Sequence, residues 1–127
     1  SDGDALIHAL SDSLLGAAGM GDIGKYFPSE EKEWENAKSE IFLFEVKKIL
    51  VNNGFKISNI DCTVILQKPK INPYIKSIRN NISRILELNE KYVSIKATTT
   101  DYLGYIGDSK GWSVMSIATI IDTNEDR

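Results

Sequence analysis

The chain has 127 residues, with 15 Lys and Arg against 18 Asp and Glu, for a formal charge of −3. At 42% hydrophobic and 26% charged residues it has the make-up of one globular domain, residues 1–127, which excludes a disordered chain and a two-domain chain. The acidic balance argues against nucleic acid as a partner. One Cys and one His exclude an intrachain disulfide and a Cys/His zinc cluster built from this chain alone.

In chain order, Asp2 or Asp4 can cap a first helix that runs to about Gly19. Leu6, Leu10, Leu14 and Ala17 form its apolar stripe, and Asp4, His8 and Asp12 share another face with Leu15 at its flank. Residues 19–28, with three glycines and Pro28, read as a shaped loop, and residues 29–38 as a charged, solvated stretch. A second helix is expected from Ser39 to Asn53, with Phe42, Val46, Ile49 and Leu50 inward and Gly54 as its stop. Residues 60–66 are β-branched and apolar, a strand. Asn72 and Pro73 suit the cap and first position of a third helix with the stripe Ile75, Ile78, Ile82 and Ile85. Residues 92–97 and 112–121 read as two more strands, separated by a stretch turning at Gly104, Gly107 and Gly111, and residues 122–127 are a polar tail. This order predicts an α+β domain: a mixed sheet with helices on one face, in which the strands flanking the third helix form a parallel βαβ unit. Three strands are few for so many helices, so further N-terminal strands are expected upstream. No apolar run approaches the ~20 residues needed to cross a bilayer, so no membrane partner is expected.

Four places could carry chemistry. His8 can be a metal ligand with Asp4 or Asp12 orienting its other ring nitrogen, or a surface histidine on an amphipathic helix. Asp22, flanked by Gly21 and by Ile23-Gly24, can meet a polyol or metal, or form an ordinary Asx turn. Gln67-Lys68-Pro69-Lys70 leaves the carboxyl end of a strand, where lysines can meet phosphate or a base edge, or can stand in water. Thr98-Thr99-Thr100-Asp101 also follows a strand. Its hydroxyls and backbone N–H groups suit phosphate oxygens and Asp101 suits a divalent cation, while the same residues could simply cap a helix.

Taken together, Ser1-Asp2-Gly3-Asp4 with His8, Gly21-Asp22-Ile23-Gly24, Phe27-Pro28, Gln67 with Pro69-Lys70, and Lys96-Ala97-Thr98-Thr99-Thr100-Asp101 closely resemble the 2-C-methyl-D-erythritol 2,4-cyclodiphosphate synthase family. The resemblance spans essentially the whole chain in the family's order. It implies an isoprenoid-precursor enzyme of the non-mevalonate pathway, a phosphorus-oxygen lyase. Its substrate, a cytidine diphosphate of methylerythritol 2-phosphate, would cyclise with release of CMP. The substrate supplies its own nucleophile, which fits a chain without a Ser-His or Cys-His pair.

By that resemblance His8 is one zinc ligand, whose companion Asp-x-His pair lies upstream of Ser1, as does a catalytic His. Ser1, Asp22, Ile23, Gly24, Phe27, Pro28, Ser29, Glu30 and Glu31 contact the methylerythritol, with Ser29-Glu30-Glu31 replacing a commoner Asp-rich version. Leu66, Gln67, Lys68, Pro69, Lys70, Ile71 and Asn72 wrap the cytidine, largely through backbone groups. Thr98, Thr99, Thr100 and Asp101 hold the diphosphate, with Thr99 stabilising the transition state. Asp101, where the family usually has Glu, binds Mg2+ or Mn2+. The resemblance further implies a homotrimer with active sites between subunits and Tyr105 in a cavity on the threefold axis, where Asp108 replaces a frequent Arg. The pathway places the protein in bacterial cytoplasm or, as the Lys-, Asn- and Ile-rich composition also suits, in the stroma of a relict plastid. Two alternatives are a catalytically dead trimeric paralogue and a ferredoxin-like ligand-binding module.

Overall fold

The computed structural model describes residues 2–28 and 38–124. Along them run α1 (Asp2–Ala17), one-turn α2 (Ile23–Tyr26), α3 (Ser39–Asn52), β1 (Phe55–Ile65), a 3-10 turn (Asn72–Tyr74), α4 (Ile75–Leu86), a second 3-10 turn (Glu90–Tyr92), β2 (Val93–Thr98), one-turn α5 (Gly104–Gly107) and β3 (Ser113–Asp122). The strands form one sheet in the order β2-β1-β3. β1 and β2 are parallel, with Ile60 opposite Val93 and Ile65 opposite Thr98. β1 and β3 are antiparallel, with Phe55 opposite Asp122 and Ile65 opposite Ser113. The expected mixed sheet and βαβ unit are therefore present. Parallel neighbours need a crossover of a dozen or more residues, and α4 with its two 3-10 turns supplies it.

The core lies between the sheet and the helices. Ile60, Cys62 and Val64 of β1 meet Leu6, Leu10 and Leu14 of α1, Leu43, Val46 and Leu50 of α3, and Ile82, Ile85 and Leu86 of α4, all buried. Along β3, Val114, Ala118 and Ile120 pack against this core, while Met115, Ile117 and Ile121 alternate to the outside. That alternation is the period-2 signature of a sheet covered on one face. The crossover is also tied by Arg79 on α4, whose guanidinium donates to the carbonyls of Glu90 and Val93 ahead of and at the start of β2.

Several expectations shift. Ala17 is exposed, while Leu15 and Ile7 are buried, because α1 packs against both β3 and α3 and needs a wider apolar arc than one stripe. On α3 the core position is Leu43, and Phe42 and Ile49 are half-buried. β1 begins at Phe55, five residues before the expected Ile60: Lys56, Ser58 and Asn59 break up the apolar run, and the pairing with β3 shifts register between Ile57 and Asn59, a bulge that the strand continues through. Asn72 does not cap the third helix: Ile71 takes the cap position of the 3-10 turn, which carries Pro73 and has no side-chain cap bond. Gly54 does end α3, with a left-handed φ of 82°. The loop after α1 holds one helical turn, α2, too short to leave a periodic signal.

Candidate active site

β1 and β2 end side by side. The Leu66 N–H donates to the Thr98 carbonyl at 3.0 Å, one bond past the last paired residues, Ile65 and Thr98. Residues 67–70 and 99–103 then leave the same end of the sheet, the end at which parallel α/β arrangements present ligand sites. Leu66 and Ile71, which bracket the first segment, are buried in the core, so only their backbone groups can face a ligand. Lys68, Pro69, Lys70 and Asn72 between and after them are exposed, and the Lys68–Pro69 peptide is cis.

The second segment is a turn closed by the Leu103 N–H on the Thr100 carbonyl at 3.1 Å. Both central residues, Asp101 and Tyr102, have positive φ, 54° and 66°, the pattern of a type I′ turn. Each non-glycine residue held there costs roughly 1–2 kcal/mol. The threonine run does not cap a helix: α5 begins only at Gly104, after Leu103, without a side-chain cap bond. The three hydroxyls differ. Thr98 Oγ1 donates to the Thr99 carbonyl and Thr100 Oγ1 donates to the Leu103 carbonyl at 2.7 Å. Thr99 Oγ1 accepts, from the Asp101 N–H at 3.2 Å, which keeps its own proton for a further acceptor. Gln67 joins the two segments, its Oε1 accepting the Tyr102 N–H at 2.9 Å.

A second group forms on α1. His8 Nε2 lies 3.2 Å from Asp12 Oδ2, and the other Asp12 oxygen accepts the Ile23 N–H at 2.9 Å. Asp22 caps α2, accepting the Lys25 N–H at 3.1 Å, so its local role is the turn-forming one. Asp4 accepts a hydrogen bond from Ser39 Oγ at the start of α3. Phe27 packs its ring on Phe42 with centroids 5.3 Å apart, and Pro28 is half-buried. A cavity of about 760 Å3 opens here, lined by Asp4, His8, Ser11, Ile23, Ser39 and Phe42 among others. Ser1, Ser29, Glu30 and Glu31 lie outside the described residues. Tyr105 is exposed on α5, with Asp108 beside it.

His8 and Asp101 belong to different groups, and among the described residues no three His, Cys, Asp or Glu side chains cluster to hold a metal ion. The donor chemistry still fits. A histidine with a carboxylate on one ring nitrogen is the usual form of a metal-bound imidazole, so His8 can give one ligand to a site completed by others. Asp101 is exposed and its backbone N–H meets the Thr99 hydroxyl, so the same turn carries a carboxylate of the kind that suits a hard cation held with a phosphate. The bond from Asp12 to Ile23 and the bond from Gln67 to Tyr102 had no signal in the sequence beyond the presence of the residues.

Residues 1–121 match the YgbB family. The chain belongs to that family. It is 50% identical over 111 residues to the 2-C-methyl-D-erythritol 2,4-cyclodiphosphate synthase of Francisella tularensis subsp. novicida, covering 87% of this chain and 70% of that one. The Clostridium novyi enzyme of the same name is 51% identical over 120 residues, covering 94% and 76%. Among solved structures, the IspF of Plasmodium falciparum in its CDP complex has a TM-score of 0.83 at 37% identity, covering 98% of this chain and 74% of that chain. The bifunctional IspDF of Campylobacter jejuni has a TM-score of 0.87 at 36% identity, and this chain spans 33% of its length. The YgbB family membership bears out the resemblance read from the motifs, and the cyclodiphosphate synthase activity expected from it is the one these relatives are named for. A ferredoxin-like binding module is set aside by the same relatives.

Proposed function

We propose that the protein converts 4-diphosphocytidyl-2-C-methyl-D-erythritol 2-phosphate into 2-C-methyl-D-erythritol 2,4-cyclodiphosphate and CMP, a phosphorus-oxygen lyase reaction. The observation that carries this reading is the meeting of residues 66–72 and 98–101 at one sheet end, with Thr99 alone of the three threonines keeping its hydroxyl proton for an incoming acceptor. The relatives' name and the CDP complex of the Plasmodium falciparum protein point the same way.

In this reading an oxygen of the substrate's 2-phosphate forms a bond to the β-phosphorus. The bond from that phosphorus to the bridging oxygen breaks, and the oxygen leaves with CMP. The protein's work is alignment and charge stabilisation. The backbone of residues 66–72 holds the cytidine, and Thr99 donates its proton to a phosphate oxygen as negative charge builds there. Asp22, Ile23, Gly24, Phe27 and Pro28, with Ser1, Ser29, Glu30 and Glu31, hold the methylerythritol. Asp12 fixes the ring of His8. Divalent cations, zinc held in part by His8 and Mg2+ or Mn2+ by Asp101, neutralise phosphate charge when bound. Lysines then need not do so, which suits a chain of charge −3.

The protein assembles as a homotrimer with its sites between subunits and Tyr105 facing the axis. The support is an outer sheet face that exposes Met115, Ile117 and Ile121 together. Bacterial relatives at about half identity favour bacterial cytoplasm as its compartment over a plastid stroma.

The test is CMP release by the full-length protein with a divalent cation present. Thr99→Ala should lower kcat on the order of 100-fold or more, Thr99→Ser should keep most of it, and His8→Ala should fall with Thr99→Ala. Unchanged turnover in Thr99→Ala and His8→Ala would overturn the mechanism, and no CMP release by the wild type would leave the dead paralogue.

A further inference from the structure

We propose that Gln67 acts through its side chain as a positioning residue: its Oε1 holds the 100–103 turn in the conformation that aims Thr99. This rests on the role given above to Thr99. Asp101 and Tyr102 are consecutive non-glycine residues with positive φ, an arrangement that persists only where surrounding contacts enforce it. Within the turn, the Leu103 N–H is taken by the Thr100 carbonyl and the Asp101 N–H by Thr99 Oγ1. The Tyr102 N–H is the remaining central amide, and its partner comes from the other strand's exit, Gln67 Oε1 at 2.9 Å. Gln67 stands one residue beyond the last bond of the β1–β2 ladder, so the sheet itself sets where its amide can reach.

α5 packs closely on the Tyr102 backbone as well. Gly107 is buried there, and a Cβ on it would lie 2.1 Å from the Tyr102 carbonyl carbon. Tyr102 is thus held by a hydrogen bond at its N–H and by close backbone packing at its carbonyl. The Asp101 N–H that orients Thr99 Oγ1 lies one peptide away. Loss of the Gln67 acceptor frees the Tyr102 amide to rotate toward water, since Tyr102 is 70% exposed, and Thr99 loses its fixed direction without loss of the fold.

The experiment compares the full-length wild type with Gln67→Met, similar in length but without the acceptor, and Gln67→Glu, which keeps one. Two readouts are taken: kcat, KM and CDP affinity, and hydrogen exchange of the Tyr102 amide by NMR. Gln67→Met should lower kcat on the order of 10- to 100-fold, leave CDP affinity within about twofold, and expose the Tyr102 amide to exchange. Gln67→Glu should restore both kcat and protection. Equal Tyr102 exchange in all three proteins overturns the proposal, and so does a Gln67→Met loss confined to KM and CDP affinity, which would mean direct contact with the nucleotide. If no form turns over, the reading of the function fails, while the exchange comparison still decides whether Gln67 holds the turn.

Discussion

Cys62 sits mid-way along β1, paired with Ile95 of β2 and Ser116 of β3, and is fully buried. Its thiol donates to Ser116 Oγ at 3.4 Å, and that hydroxyl also bonds Ser13 Oγ on α1 at 2.8 Å, so the three close a polar seam between helix and sheet. Burial, reinforced by the carboxylate of Asp61, pushes the thiol's pKa above its usual 9.0 against the opposing bond to Ser116 and the charge of Lys96. An unfolded chain therefore releases this proton first. The stabilisation is complete below about pH 9 and declines as pH rises through the folded value. Urea midpoints at pH 7 and pH 10 should fall further for wild type than for Cys62→Ala, and an equal fall would contradict the assignment. The folded protein should also resist a thiol reagent that consumes one equivalent after unfolding. At this scale Thr99, Asp101 and His8 could be named as candidates from residue type and motif, and their roles are the ones proposed above. Residue type alone does not separate the three threonines; the resemblance singles out Thr99, and the hydrogen bonds that set its hydroxyl apart depend on carbonyls that the turn brings within reach.

Among the elements, α1 shows how far periodicity reaches. Leu6, Leu10 and Leu14 are buried as their spacing demands, yet Ile7 and Leu15 are buried too. A stripe reports one contact face, and α1 has two, against β3 and against α3. Leu10, with no exposed surface, fills the centre of that arrangement. Leu10→Ala should cost about 2–5 kcal/mol in urea unfolding, whereas Ala17→Ser on the exposed end of α1 should change stability by less than about 0.5 kcal/mol. The strands were legible where their inward residues are apolar and illegible at residues 55–59, where polar residues and a register shift in the pairing with β3 break the alternation. The parallel pairing of β1 and β2 followed from the helix between them, and with it the placement of both candidate loops at one end.

For the whole molecule, the outer sheet face is where the proposed assembly can be tested. Met115, Ile117 and Ile121 are 62%, 67% and 49% exposed along a single strand, a row that solvent does not favour. If three copies bury this face, Ile117→Asp should convert the sedimenting species to monomer with the helical circular dichroism signal retained and CMP release lost. A wild-type chain that sediments as a monomer at micromolar concentration would remove the basis for sites between subunits. The proposed trimer comes from the family resemblance and not from the strand pattern: alternation would mark one apolar face, and both faces of β3 carry apolar residues.

The carboxylate of Asp12 has one oxygen on His8 and the other on the backbone of Ile23. If an ion binds His8 and a polyol binds the neighbouring loop, as proposed above, this shared carboxylate makes the two events interdependent. A ligand that shifts the imidazole would then also shift the glycine-flanked loop, and the converse would hold with the same free energy, because coupling between equilibria is reciprocal. An ion arriving at the histidine and a polyol arriving at the loop should each tighten or loosen the other by one common factor, measurable by titrating either in the presence of the other.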